Sequence, residues 1–483
     1  MKLINKRMEY KGELSREFSP YADHRGNKYR FPVDPYIFDE IMEVDDSISI
    51  DSVLKWEISL KRSMYKERMN ILEEEVKPHS TLYKHQVIGA KWMVHAKRCI
   101  LADMVGTGKT VTSIEACNII GAKRILIVCG RNKSEDWIDH FKKWGSDHIH
   151  LSISTYESVN KVEGKYDVAI VDEAHKVRNR KTDLFADLRK TVKDIPYLFL
   201  ITGSPNVNNP SDIWTLLNLC DKVIFSSYWG FVYRFCCVTE SAYGVTVGNL
   251  RSDRRKKFLE YISHYLLRRE NNEEYDVKEK FIKLKMTESH SEIYRYIDKT
   301  TEDGISRLNK LLRAAVDPSS LVESECKDTK VHVLLKAKLG KKCIIFCRFS
   351  ETAGLCKKIL RQRGIYTQII NYNTSKVKSS NYINQFKTGN LKVIILTHKV
   401  SGEGLNLTAA DTIIHMEYPW NSIGIEQANA RMLRFGQNKS GLRIFYLVMK
   451  ETVEEYAIEI IKRKEKFSIE NLLKLEGMSK SIE

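Results

Sequence analysis

The sequence predicts an α/β fold made of two successive units, each a parallel sheet covered by helices. Three observations carry this expectation. From Arg98 onward, short apolar runs alternate with amphipathic stretches. Each apolar run ends in a polar or glycine-bearing loop, and the same alternation restarts at Lys341 after a charged, aromatic-rich interval. Strand–loop–helix repetition of this kind buries a parallel sheet beneath helices and sets functional loops at the C-terminal ends of the strands.

Taken in order, residues 1–75 form a small α+β module. HRGNKYRFPVDPYIFDEI predicts a hairpin around Gly26-Asn27 and a helix after Pro35. DSVLKWEISLKRSMYKERMNILEEE predicts an amphipathic helix that ends near Pro78. Residues 76–270 form the first unit, with strands at RCILAD, RILIVCG, YDVAIVDEAH and YLFLITGSP and helices at KTVTSIEACNII and KSEDWIDHFKKW. Leu216 to about Lys330 reads as helical insertions and a connector. Residues 271–470 form the second unit: CIIFCRF, a helix through KKILRQRG, YTQIINYN, a helix through YINQFKTG, then VIILTHKV, TIIHMEYPW and RIFYLVMK. Residues 471–483 are a tail.

Composition narrows the partners. Lys and Arg number 79 against 62 Asp and Glu, a net charge of +17, which favours a polyanion, nucleic acid before membrane surface. Plain solubility charge is the alternative. The ten cysteines contain no C-x-x-C pair, so they read as buried apolar thiols in a reducing compartment. No apolar run is long enough for a membrane span, and the N-terminus does not read as a signal peptide.

MVGTGKTV follows a strand and opens a helix, the context that a phosphate-binding loop requires. Gly106 and Gly108, with Thr107 between them, let the backbone curl around phosphate oxygens. Lys109 reaches the β- and γ-phosphates, and Thr110 holds Mg²⁺. Asp103 stands where the full pattern has its first Gly. VAIVDEAH is a strand ending in two carboxylates: Asp172 to bind Mg²⁺ and Glu173 to activate water, or both simply to cap the next helix. Arg431 and Arg434, three apart in EQANARMLRFGQ, share one helical face and repel each other unless an anion lies opposite. Should the units face each other across a cleft, that anion is ATP and these are arginine fingers. A DNA backbone or surface acids are the other possible partners.

Together these motifs resemble the Swi/Snf-type branch of the superfamily-two helicase-like ATPases, in the right order over roughly residues 80–465. LYKHQVIGAKWM resembles the adenine-recognition segment, with Gln86 at its glutamine. The family's phosphate loop also carries Asp at the position of Asp103. LITGSPNVN resembles the coupling segment through Thr202. THKVSGEGLNLTAADTIIHMEYPWN resembles the next motif, including Gly404. QANARMLRFGQ resembles the arginine-finger motif through Gln427, Arg431 and Arg434. LLRRE and TVEEYAIEIIKRKEK also have family look-alikes. Ala430, Leu433 and Glu417 stand where Gly, His and Asp are usual.

The resemblance implies two tandem RecA-like lobes and an ATP- and Mg²⁺-dependent motor that walks on duplex DNA. Backbone contacts are then expected from Arg131, Lys176, Arg178, Arg348 and Lys399, each of which is otherwise a solvated surface cation. Trp420 either contacts DNA or anchors its loop. KYRFPVDPYIFDEIM resembles the substrate-recognition segment of annealing-type helicases, or else the hairpin serves only for packing; branched DNA is the expected substrate, through branch migration or fork remodelling. A protein–DNA remodeller and an ATP-switched DNA clamp are the alternatives. The expectation is a monomer in a bacterial or phage-infected cytoplasm, or in a nucleus.

Overall fold

The computed structural model describes residues 1–4, 7–11, 23–25, 28–44, 48–74, 81–203, 205, 210–241, 244–271, 276–302, 304–322, 326, 328–401, 405–419, 422–433, 437, 439–465 and 480–482. They fall into two compact units. The first takes Met1–Met104, Gly108–Asn272 and Lys466–Glu483; the second takes Val105–Thr107 and Glu273–Glu465.

The first unit opens with β1 (Lys2–Ile4), β2 (Arg7–Lys11), β3 (Asp23–Arg25) and β4 (Lys28–Pro32), an antiparallel sheet in the order β1-β2-β4-β3. Arg25 pairs with Lys28, which makes the expected hairpin; Gly26 and Asn27 lie outside the described residues. α1 (Pro35–Val44) starts at Pro35, whose fixed φ suits a first helical position. The Asp34 carboxylate accepts from the N–H groups of Tyr36 and Ile37 at 3.0 and 3.1 Å. α2 (Ser52–Ile71) is capped by Asp51 and ends well before Pro78, which lies outside the described residues. Its last turn tightens, with the Leu72 N–H donating to the Met69 carbonyl at 3.1 Å, so no proline is needed to stop it.

This module is fastened to the rest of its unit by buried polar and aromatic groups. The Tyr65 ring stacks on His264 at 4.2 Å. Tyr65 Oη donates to Asp34 at 3.2 Å and lies 3.1 Å from Tyr265 Oη. Tyr36 Oη is 2.7 Å from His264 Nε2, and Arg234 pairs with Glu40 at 2.8 Å. Burial raises the pKa of Asp34, which is offset first by the charge of Arg234.

After α3 (Lys84–Ala96) come β5 (Arg98–Leu101), α4 (Lys109–Ile120), β6 (Arg124–Cys129), α5 (Ser134–Trp144), β7 (His150–Thr155), β8 (Val168–Asp172), α6 (Asp183–Val192) and β9 (Tyr197–Ile201). α7 (Trp214–Cys220), α8 (Tyr228–Phe235), β10 (Cys236–Ser241), β11 (Gly244–Leu250), α9 (Arg255–Ser263), β12 (Leu266–Leu267) and β13 (Arg269–Asn271) complete it. The sheet runs β12-β5-β9-β8-β6-β7, parallel throughout. Cys99, Leu101, Ile127 and Ile170 face one core, and Ile100, Leu126, Val128 and Val171 face the other. Both faces are covered, which is why these strands are uninterrupted apolar runs.

The second unit repeats the plan. Its elements are β14 (Val277–Leu284), α10 (Glu288–Thr300), α11 (Ile305–Val316), β15 (Cys343–Cys347), α12 (Ser350–Gln362), β16 (Thr367–Ile370), α13 (Lys376–Thr388), β17 (Val393–Thr397), α14 (His398–Ser401), β18 (Thr412–His415), α15 (Ser422–Asn429), β19 (Leu442–Met449) and α16 (Val453–Glu465). The parallel order is β14-β19-β18-β15-β17-β16. Two RecA-like sheets flanked by helices are therefore present.

The interval from Leu216 to Lys330 corrects the helical expectation in part. It holds helices, but it also supplies the β10–β11 hairpin and the edge strands β12 and β14. VKEKFIKL of β14 is charge-rich because one of its faces is exposed at a sheet edge, where lysines also discourage strand addition. The cysteines are all unbridged thiols, and all but Cys237 are buried.

Candidate nucleotide site

β9 lies between β5 and β8, so three loops leave neighbouring strand ends. They carry Asp103 to Gly108, Asp172 to His175, and Thr202-Gly203. Gly106 and Gly108 take φ values of +92° and +84°, the left-handed region in which glycine is strain-free. A Cβ on Gly108 would stand 2.3 Å from Gln86 Nε2, so the glutamine amide lies directly against the loop. Gln86 is itself held by the Tyr83 N–H, which donates to its Oε1 at 3.2 Å at the start of α3. Lys109 Nζ donates to the carbonyls of Asp103 and Met104 at 2.6 and 2.8 Å, and burial pushes its pKa down to about 8. Thr110 sits in the first turn of α4.

Asp103, the residue in place of glycine, is almost fully buried and receives a forked guanidinium. Arg269 donates to it through the backbone N–H, Nε and Nη2 at 2.9, 3.2 and 2.5 Å, and through Nη1 to the His85 carbonyl at 2.7 Å. Gly89 is needed beside this fork, because a Cβ there would meet Nη2 at 2.6 Å. Arg268 Nη1 joins the Ala102 and Gly203 carbonyls at 2.8 Å each. The two arginines thus tie the phosphate loop to the loop after β9. Sequence reasoning noted LLRRE and assigned it no role. The signal available was a buried acid at a glycine position, which requires a cation elsewhere.

At the end of β8, Trp137 Nε1 donates to Asp172 Oδ2 at 3.1 Å, and Tyr156 Oη donates to the Asp172 carbonyl at 2.5 Å. Burial and then the adjacent Glu173 raise the pKa of Asp172. Glu173 adopts φ +56°, a strained conformation for a residue with a side chain and one that collects at working sites. His175 Nδ1 lies 3.3 Å from Glu173 Oε2 and 3.1 Å from Thr202 Oγ1. Burial pushes His175 down to about 4, so at ordinary pH it is a neutral ring lying between the carboxylate and the β9 loop. Trp137, Tyr156 and His175 were not foreseen as site residues.

The described residues hold no group of three or more His, Cys, Asp or Glu able to hold a metal. Asp172, with its raised pKa beside Glu173, and the Thr110 hydroxyl are donors of the type that would suit a divalent ion held by few protein ligands.

In the second unit Arg431 is buried. Its Nε donates to the Gln427 carbonyl at 3.0 Å and its Nη1 to the Leu405 carbonyl at 3.4 Å. Arg434, Gly404 and Trp420 lie outside the described residues. Arg348 is engaged with Asn309 Oδ1 at 3.3 Å and the Tyr418 carbonyl at 3.4 Å. Lys399 is exposed, 5.5 Å from the Tyr372 ring. In the first unit Arg131 and Lys176 are exposed, Lys176 over the Tyr156 ring, and Arg178 is half-buried. Among the described residues no helix is long and apolar enough to cross a membrane.

The Helicase conserved C-terminal domain matches residues 326–436. The SWI/SNF chromatin-remodeling complex subunit snf22 of Schizosaccharomyces pombe is 24% identical, covering 78% of this chain and 27% of its own length. The uncharacterized ATP-dependent helicase YqhH of Bacillus subtilis is 25% identical, covering 80% and 79%. The uncharacterized ATP-dependent helicase MG018 of Mycoplasma genitalium is 22% identical, covering 92% and 47%. Of these relatives the chain thus spans between about a quarter and four fifths. A solved Sulfolobus solfataricus SWI2/SNF2 ATPase core in complex with dsDNA is 21% identical over 85% of this chain and 99% of that one, at a TM-score of 0.39. Over most of its length the chain is thus similar to a SWI/SNF remodeling subunit and to ATP-dependent helicases, and its residues 326–436 match the helicase conserved C-terminal domain.

Proposed function

We propose that this chain hydrolyses ATP in response to DNA and uses the energy to move along duplex DNA, with branched duplexes as its preferred substrate. The observation that supports it most is the chain of contacts from Glu173 through His175 to Thr202. It joins a water-activating carboxylate to the loop of a neighbouring strand, so a change at the phosphate is felt one strand away. Gly106, Thr107 and Gly108 wrap the phosphates, Lys109 exchanges its loop carbonyls for β- and γ-phosphate oxygens, and Gln86 reads the base. Asp172 and Thr110 would hold Mg²⁺, which supplies charge neutralisation when bound. Glu173 orients water and takes its proton, and Trp137 fixes Asp172. Arg431 and Arg434 are the arginine-finger candidates, a role worth about 10³–10⁵ in rate in arginine-finger enzymes. Thr202 and Gln427 couple hydrolysis to movement. The +17 charge and the helicase names of the relatives support DNA as the track. Arg131, Lys176, Arg178, Arg348, Lys399 and Trp420 are the backbone-contact candidates.

Phosphate release measured with single strands, linear duplex, forks and four-way junctions tests this reading. Stimulation should rise from single strand to duplex and be greatest on branched DNA. An equal, unstimulated rate with all four would contradict it.

A further inference from the structure

Beyond His175 along the chain, the first unit has a groove of about 550 Å³. The segment between β8 and α6 lines it with Arg178, Arg180 and Lys181, the start of α8 with Tyr228 and Trp229, and the β10–β11 hairpin with Val245 and Val247. The Arg180 guanidinium lies 4.1 Å over the Tyr228 ring and 5.8 Å from that of Trp229. Tyr228 Oη is fixed on Ser211 Oγ at 3.3 Å, and Trp229 packs edge-on to Tyr228 at 5.3 Å. Arg180 therefore covers Tyr228, while Trp229 keeps 37% of its surface open. Asp212 also lines the groove. Among the described residues, no carboxylate forms an ion pair with Arg178, Arg180 or Lys181.

Three cations without acid partners beside a rigidly backed, half-open indole are the parts that hold single-stranded nucleic acid: positive charge tracks phosphates and an aromatic face stacks a base. Duplex DNA buries its base faces in its own stack and offers nothing to the indole. We infer that this groove binds an unpaired stretch of DNA, with phosphates at Arg178 and Lys181 and one base stacked on Trp229. This rests on the proposed DNA motor and adds a site by which it recognises a branch. A linear duplex meets only the charges, whereas a fork also presents a free base.

Equilibrium binding of the full chain to a labelled single strand, a fork with an unpaired arm and a blunt linear duplex tests it. Trp229→Ala should weaken single-strand and fork binding roughly tenfold, within the range of one lost base–aromatic stack, and leave blunt duplex within about twofold. Trp229→Phe should restore most of the loss. Lys181→Gln should lower the salt slope of single-strand binding by about 0.7, the contribution of one phosphate contact. Equal loss on fork and blunt duplex, or no loss on either, would overturn the groove while leaving the motor intact. Trp229-dependent displacement of DNA by an acidic peptide that binds more tightly than the single strand would overturn it in favour of a protein partner. Wild-type protein that binds none of the three DNAs contradicts the motor reading itself.

Discussion

Arg269 spends its whole donor fork on Asp103 and the His85 carbonyl, and the phosphate loop depends on it. Arg269→Ala would strand a buried carboxylate, a loss on the order of 3–5 kcal/mol. Chemical denaturation should show that loss, with Arg269→Lys recovering only part of it because an ammonium has no planar fork. The same reasoning applies one turn away. Gly108→Ala adds a Cβ where Gln86 Nε2 already sits and where φ is positive. Nucleotide affinity should therefore fall well beyond tenfold, measured by titration with a fluorescent ATP analogue; unchanged affinity would mean that Gln86 does not lie on the loop. Sequence alone nominated Lys109, Asp172 and Glu173, because short motifs encode local backbone. It did not reach Arg269 or Trp137, because their roles arise from contacts with residues far away along the chain.

At the scale of elements, the link between β8 and β9 makes a separable prediction. Thr202→Val keeps shape and removes the hydroxyl 3.1 Å from His175 Nδ1. Hydrolysis should persist within a fewfold while strand movement, followed by triplex displacement, falls much further; equal losses in both would place Thr202 in the chemistry rather than in coupling. The N-terminal module behaves differently from a loose appendage. Cutting away residues 1–75 would bare Tyr265 and His264 and leave Arg234 without Glu40. The truncated chain should melt at a clearly lower temperature than the intact one, and an unchanged melting curve would show the module to be energetically detached. Apolar runs made the central strands legible. The edge strands β7 and β14 were not, since each exposes one side and its sequence reads as largely polar, and β12 was not because its two leucines are too short a run to signal a strand. The hairpin at Arg25 and Lys28 was visible because its turn residues are specific.

For the molecule as a whole, charge and protonation set the working conditions. In the second unit, burial pushes His398 to about 4 and His415 to about 3, while it raises Glu417 to about 7. Unfolded histidines take up protons below about 6.5 that the folded ones refuse, so these two lower stability as pH falls. Glu417 opposes them. Folded, it binds its proton below about 7, whereas the unfolded chain waits until roughly 4.5. Between those limits these three groups leave the unfolded state with a net one extra proton, a contribution of about 1.4 kcal/mol of lost stability per pH unit of acidification, and the buried His175 and His290 act in the same direction as His398 and His415. Glu417→Gln removes the opposing proton and should steepen the measured slope by about 1.4 kcal/mol per pH unit; a slope that flattens instead would reverse the assignment.

The most direct test of the account is phosphate release with saturating duplex DNA, compared between the wild-type chain and Glu173→Gln. The account predicts strong DNA stimulation in the wild type and at least a hundredfold loss in Glu173→Gln with ATP binding retained. A wild-type rate indifferent to DNA, or a Glu173→Gln chain that hydrolyses ATP normally, would contradict it.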